Sequence, residues 1–356
     1  MINNILFITP VFEQGGTEVY VLNISKYLKE RGYNVEVVSS GGIREFDLDN
    51  NLINHTIISE LRTKNIFSFI KSIIKIRKLI KEKSINIIHS SSIYTLVIAK
   101  FCTLLLDNRV KTVYTMHGGP NRDVEKTNKI ILNKFVDRII ALSEVSKKIM
   151  ISNGVKKEKI HVIYNGIEDK YIKKKLKYND KFIITTCGRL TEQKGQKFLI
   201  DAIKEINIDN FELRIIGDGE LKKELNNRII ELGLEDKIKI LGFKDNVLEY
   251  LEESDIFILP SLWEQFPIAI LEAMMMQLPI IATSVNGVPE EVGEAGILIS
   301  PRSSDEIRSS LEMLYYNCNE RKRLAKFARE RFEKNFTLNS MGRKTEEVYK
   351  KLIKKG

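Results

Sequence analysis

Apolar side chains fall along this chain in two alternating rhythms: short uninterrupted runs, and longer stretches in which they return every three or four residues. The runs at 3–9, 35–39, 85–89, 111–116, 138–142 and 161–164 read as strands buried on both faces. Between them, 17–30, 64–83, 93–106 and 143–152 carry helical spacing. Asn165-Gly166-Ile167 and the polar, lysine-rich 169–180 break the pattern and read as a linker. The pattern then restarts with strands at 182–186, 211–216, 237–241, 255–259 and 296–299 and helices at 304–317, 320–335 and 338–355. Such alternation predicts parallel, doubly wound sheets, and hence an α/β chain of two Rossmann-like domains. The expected division is 1–168, a linker at 169–180, 181–337, and a last helix within 338–356.

One helix departs from the amphipathic norm. From 265 to 289 the only charged side chain is Glu272. Pro267 suits the first turn of a helix and Pro279 ends it, which puts Glu272 midway along a nearly uncharged cylinder buried on most sides. At about 100° per residue, Ile268, Leu271, Glu272 and Met275 share one face. An unpaired ionised carboxylate there costs several kcal/mol, so either an internal salt bridge or a ligand is expected. Glu264 precedes the helix in a Trp263-Glu264-Gln265-Phe266-Pro267 loop that follows a strand, the place where α/β sheets bind ligands. Two acids, one at a helix entrance and one two turns in, can hold hydroxyls at two points of an extended polyol. A nucleotide sugar has that shape.

Other loops carry candidate chemistry. Gly15 and Gly16 stand at the entrance of the first helix, where they serve either an anion or the turn alone. Gly188, Arg189 and Lys194 share the loop after the strand at 182–186, a guanidinium and an ammonium beside backbone donors, which make either an anion trap or two mere surface cations. Gly217-Asp218-Gly219 and Gly242-Phe243 end two further strands on the same edge. His117, followed by Gly118-Gly119-Pro120, comes directly after a strand, whereas His55, His89 and His161 read as structural. Asp47-Leu48-Asp49 spells a metal-holding triplet, yet it falls in a polar loop at 45–51 without further ligands, so no metal is expected.

Length and composition add limits. At 356 residues and 43% hydrophobic content the chain exceeds one typical core. No apolar run reaches membrane-spanning length, and the chain opens at once on a strand, so the expectation is a soluble, unsecreted, cytoplasmic protein. Cys102, Cys187 and Cys318 are few and scattered, which points to neither disulfides nor zinc. The net charge of +10 is uneven: residues 1–168 carry 25 Lys and Arg against 16 Asp and Glu, the remainder 32 against 31. Helix 64–83 has apolar positions at Ile66, Phe69, Ile70, Ile73, Ile76 and Ile80, with Lys71, Lys75, Lys78 and Lys81 mainly elsewhere around it. It is either an ordinary surface helix or a peripheral contact with anionic membrane at the inner face of the cell membrane.

The ordered set Gly188-Arg189-Leu190 with Lys194-Gly195, Glu264 with Glu272, and Asn286-Gly287-Val288-Pro289-Glu290 resembles the retaining GT-B glycosyltransferases of family 4 (glycosyl transferases group 1) over nearly the whole length. Gln265 stands where that family usually has glycine. The resemblance implies two Rossmann-like domains facing across a cleft, the first binding acceptor, the second binding nucleotide sugar, and a last helix crossing back to the first. It implies transfer of a sugar, with a UDP-sugar as expected donor, to a glycan or lipid-linked acceptor in polysaccharide synthesis, with retention and no metal or other cofactor. His117, Arg189, Lys194 and Glu264 would be catalytic. The donor would meet Gly15, Gly16, Gly188, Arg189, Lys194, Gly217, Phe243, Glu264, backbone groups of Phe266, Pro267 and Ile268, and, at the ribose, Glu272. His117 would orient hydroxyls rather than act as a base. The rivals are a nucleotide-sugar 2-epimerase of the same fold and a non-catalytic basic membrane- or nucleic-acid-binding protein. The acidic pair is an odd choice for a phosphate-backbone surface, so no nucleic acid is expected.

Overall fold

A computed structural model describes residues 4–104, 110–118, 126–171 and 181–353. The chain divides into two compact units, residues 1–168 with 338–356, and residues 169–337. The first contains β1 (Asn4–Ile8), α1 (Gly16–Glu30), β2 (Asn34–Ser39), α2 (Glu45–Asn50), β3 (Asn54–Ile57), α3 (Ile66–Glu82), β4 (Ile87–Ser90), α4 (Ile93–Thr103), β5 (Lys111–Met116), α5 (Lys126–Phe135), β6 (Arg138–Ala141), α6 (Glu144–Ser152) and β7 (Ile160–Val162). Its strands form one parallel sheet in the order β3-β2-β1-β4-β5-β6-β7.

The second unit contains β8 (Phe182–Cys187), α7 (Gln196–Lys204), β9 (Phe211–Ile216), α8 (Lys222–Glu231), β10 (Ile238–Gly242), α9 (Val247–Glu252), β11 (Ile256–Leu259), α10 (Ile268–Met275), β12 (Ile280–Thr283), α11 (Val288–Val292), β13 (Gly296–Ile299), α12 (Ser304–Tyr316) and α13 (Cys318–Asn335). Its parallel sheet runs β10-β9-β8-β11-β12-β13. In both sheets the order reverses once, at β1/β4 and at β8/β11. Ile184, Phe257, Ile258 and Ile281 on the central strands are fully buried, as parallel strands covered on both faces require.

The last helix, α14 (Leu338–Ile353), belongs to the first unit. Gly342 lets it lie against α1: a Cβ there would stand 2.3 Å from the Tyr27 ring. Tyr33 donates its hydroxyl to Glu346 at 2.7 Å. The Tyr349 hydroxyl and His89 Nδ1 share a hydrogen bond at 2.5 Å, and His89 Nε2 shares another with Thr115 at 2.6 Å. Burial pushes the His89 imidazole down to about 3, so it works as a neutral structural link.

Three expectations change. Residues 45–50 are helical rather than loop, because Leu48 is fully buried and the acids of the first turn suit a helix N-terminus. Asp47 ion-pairs with Arg44 at 2.6 Å, and no cluster of potential metal ligands occurs among the described residues. Pro279 opens β12, a strand that the apolar run at 279–283 concealed. On α3, the expected single apolar face splits: Ile76 and Ile80 are buried and Phe69 and Ile73 pack beside them, while Ile66, Phe67, Ile70 and Ile74 stay 48 to 75% exposed. The helix carries more apolar arc than one side of the sheet can cover. The ends of the expected helices at 105–106 and 354–355, Gly119 and Pro120, and 172–180 of the expected linker lie outside the described residues. Asp169, just before them, ion-pairs with Arg329 at 2.7 Å.

The carboxyl edge of the second sheet depends on backbone contact. Gly188 donates to the Ile216 carbonyl and Gly217 to the Gly242 carbonyl, both at 2.9 Å. A Cβ on Gly217, at φ +144°, would lie 2.0 Å from the Gly188 oxygen. Gly217→Ala is therefore expected to destabilise the protein by at least about 2 kcal/mol, measured by urea unfolding.

Candidate active site

The carboxyl ends of β8 and β11 meet where the strand order of the second sheet reverses, and helices leaving to opposite sides make room there for a ligand. The loops after these two strands are joined along their length. Leu262 donates its backbone N–H to the Gln193 carbonyl at 2.7 Å, and the Gln193 amide donates to the Trp263 carbonyl at 3.0 Å. The Lys194 ammonium forms an ion pair with Glu264. The same carboxylate oxygen accepts from the Ser261 hydroxyl at 2.9 Å. Glu264 is 6% exposed, so a cation and a hydroxyl replace the water that its charge has lost.

Glycine makes this approach possible. Gly195 sits at φ +64°, and a Cβ on it would stand 2.2 Å from the Pro260 carbonyl oxygen. Gly188 leaves space for the Lys194 stem, whose Cε would be 3.3 Å from an added Cβ. Gln265, by contrast, has no left-handed φ, so the loop pays no backbone penalty for lacking the usual glycine.

Arg189 shares the loop with Lys194 but is exposed, and its guanidinium makes no ion pair among the described residues. Of the two expected cations, only Lys194 is held by a protein carboxylate among the described residues. The ammonium is turned onto the buried Glu264 carboxylate.

Glu272 lies on α10, which begins at Ile268, with Pro267 as its extended N-cap, and ends at Met275, short of Pro279. Leu271 and Met275 are buried, whereas Ile268, Ala269 and Glu272 are half-buried. This corrects the expected shared face: the acid lines the open stripe, not the packed one. The Cys187 thiol feels both Glu272 and Lys194. Burial first, then Glu272, pushes it up to about 12, and Lys194 opposes them. Phe266 turns inward, 3% exposed and edge-on to Phe336 at 5.4 Å, so only its backbone is available to a ligand. Phe243, just past β10, is 43% exposed.

In the first unit, Gly15 is the N-cap of α1 and Gly16 its first residue. Gly15 is extended at φ −174°, a conformation open to any residue, and a Cβ there would meet the Glu18 carboxylate at 2.5 Å. The helix entrance thus already has an acid of its own, partly meeting the dipole that was expected to attract an anion. His117 follows β5 and packs edge-on against Tyr20 at 4.7 Å. Its Nε2 is enclosed and lacks a hydrogen-bond partner among the described residues, and burial pushes the imidazole down to about 3.

Sequence reasoning missed Gln193 and Ser261, which fasten the two loops, and Glu291 on α11, an acid with no exposed surface. A polar side chain in a loop gives no sign of which neighbour it will meet. Glu291 did carry a signal, since Val288 and Val292 flank it on one face.

Comparison with known proteins agrees with this geometry. Residues 14–171 match the family described as Glycosyltransferase Family 4, and residues 167–331 match Glycosyl transferases group 1. The chain is 30% identical over 274 residues to the UDP-Gal:alpha-D-GlcNAc-diphosphoundecaprenol alpha-1,3-galactosyltransferase of Escherichia coli, covering 70% of each. It is 24% identical over 360 residues to the capsular polysaccharide biosynthesis glycosyltransferase CapM of Staphylococcus aureus, covering 92% of this chain and 93% of that one. The structure of Anabaena Alr3699/HepE in complex with UDP-glucose superposes with a TM-score of 0.86 at 23% identity, over 98% of this chain and 99% of that one. A pair of Rossmann-like domains and these relatives together make the chain a member of the group 1, family 4 glycosyltransferases, with the GT-B fold.

Proposed function

We propose that this glycosyltransferase moves a sugar from a UDP-sugar to a glycan or lipid-linked acceptor in cell-surface polysaccharide synthesis, with retention of anomeric configuration and without a metal ion. The observation that carries this function is the Lys194 and Glu264 pair at the switch point of the second sheet. An ammonium has three donors; one goes to Glu264, which leaves two for phosphate oxygens. Departure of the diphosphate builds negative charge on the leaving oxygen, and Lys194 with the exposed Arg189 offsets it. Glu264 and the backbone of 266–268 hold the donor sugar, Glu272 the ribose, and Phe243 the base. Gly188 and Gly217, without side chains, leave room for the phosphates. His117, neutral at pH 7, orients a hydroxyl instead of removing its proton. Glu264 is engaged by Lys194 and Ser261, so no covalent nucleophile is assigned, and the acceptor attacks on the face that the diphosphate leaves. The Escherichia coli relative supports the donor and acceptor class, since its name specifies UDP-Gal and a diphosphoundecaprenol acceptor. The UDP-glucose complex of the Anabaena neighbour also supports the donor.

The outer side of α3 supports contact with an anionic membrane, where a lipid-linked acceptor would lie. Ile66, Phe67, Ile70 and Ile74 are exposed on a helix that also carries Lys71, Lys75, Lys78 and Lys81. Apolar side chains at the boundary and lysines at the headgroups act together in such docking. No helix among the described residues is long and apolar enough to cross a membrane.

Donor turnover in EDTA, with UDP-, GDP- and ADP-sugars, tests the chemistry. The expected result is acceptor-dependent release of UDP. Release without acceptor would favour the epimerase, and a need for added metal would overturn the metal-free mechanism. Glu272→Ala is expected to lower turnover at least tenfold, about 1.4 kcal/mol in the barrier. Sedimentation with vesicles tests the surface: binding to phosphatidylglycerol vesicles at low salt, weakened by salt and by Phe67→Ser with Ile74→Ser, is expected, and indifference to anionic lipid would remove the membrane contact.

A further inference from the structure

We propose that Glu291 is a positioning residue for Glu264: an uncharged acid that backs the donor-sugar carboxylate and keeps a second negative charge out of the donor site, a role that rests on Glu264 contacting the donor as proposed above. Glu291 has no exposed surface, and neither of its carboxyl oxygens has a hydrogen-bond partner among the described residues. The strand that leads to it, β12, is fastened to the Glu264 loop. The Thr283 hydroxyl at the end of β12 donates to the Ser261 carbonyl, and the Ser261 hydroxyl donates to Glu264.

Two charged groups face Glu291 from neighbouring elements, Glu264 from the loop after β11 and Arg331 from α13. The arginine gives its hydrogen bonds elsewhere. Its Nε donates to the Glu291 backbone carbonyl at 2.8 Å and its Nη2 to the Glu290 carbonyl at 2.6 Å. An ionised Glu291 would therefore be buried, without a donor, and beside a like charge. Burial first, then Glu264, drives its carboxyl well above the usual range, and Arg331 only partly opposes them. Charge balance gives the functional consequence. Arg189 and Lys194 against Glu264 and Glu272 sum to zero, and a third anion would oppose a diphosphate.

The proton has a thermodynamic signature. Between the ordinary carboxyl value of about 4.3 and the raised native value, the folded protein binds one more proton than the unfolded chain, so Glu291 costs stability as pH rises. Glu291→Gln copies the protonated form and removes that cost. Its melting temperature is expected to match wild type near pH 5 and to exceed it by a margin that widens toward pH 8. A margin that stays flat, or a variant less stable throughout, would overturn the proposal, since it requires Glu291 to be uncharged in the folded protein. This arm contains no donor, so it stands even if UDP-sugars fail to bind. With UDP-sugar, KM is expected to climb on the alkaline side for wild type and less for Glu291→Gln, with kcat moving little. A KM profile identical in both proteins would overturn the positioning role. If the variant does not fold, the infrared stretch of a protonated carboxyl in the wild-type protein at pH 7 decides: its absence ends the proposal.

Discussion

A carboxylate shut away from water must be given a charge or hydrogen bonds, and the second unit is arranged to do this for Glu264. Lys194 comes from the loop after β8, Ser261 from the loop that carries the acid, and the two loops are drawn together until backbone touches backbone at Gly195 and Pro260. Neither loop can take its shape alone. The left-handed turn at Gly195 is worthwhile only because Pro260 stands opposite, and Lys194 reaches its acid only because Gly188 has no side chain in the way. Chemistry and architecture thus share one seam at the centre of the sheet.

The rest of that edge extends the same constraint. Gly188, Gly217 and Gly242 link the ends of three adjacent strands through backbone hydrogen bonds. The N–H groups of Gly188 and Gly217 are spent on these bonds, and the missing side chains are what let the strand ends lie so close. Cys187, near both Glu272 and Lys194, stays a thiol because burial outweighs the cation. His89 and His117 are both held neutral by burial, one as a structural link and the other with an enclosed ring nitrogen.

Much of this was legible in the residue order. The two wound sheets follow from the spacing of apolar runs, although the fully buried β12 escaped because its run continues that of the helix before it. Glu272 drew attention as the only charge from 265 to 289. What stayed hidden was direction. Helical spacing placed Glu272 with Leu271 and Met275, whereas packing buries those two and opens the stripe of Ile268 and Ala269. A period alone cannot say which side meets the sheet when a helix is apolar all round, and on α3 the apolar arc is wider than the sheet covers. The pairing of Lys194 with Glu264 was invisible because 70 residues separate them, and each had been read as waiting for a ligand. The short helix at Glu45–Asn50 was lost among polar residues because a single buried leucine anchors it.

The position of α14 bears on how the protein is made. The ring of Tyr27 and the imidazole of His89 are covered by Gly342 and Tyr349, which leave the ribosome after the entire second unit has been synthesised. The earlier unit therefore stays unfinished, with part of its core uncovered, while the later one folds as a continuous stretch of chain. During that interval the nascent first unit exposes apolar surface, and release of the final segment completes both its hydrogen bonds and its cover.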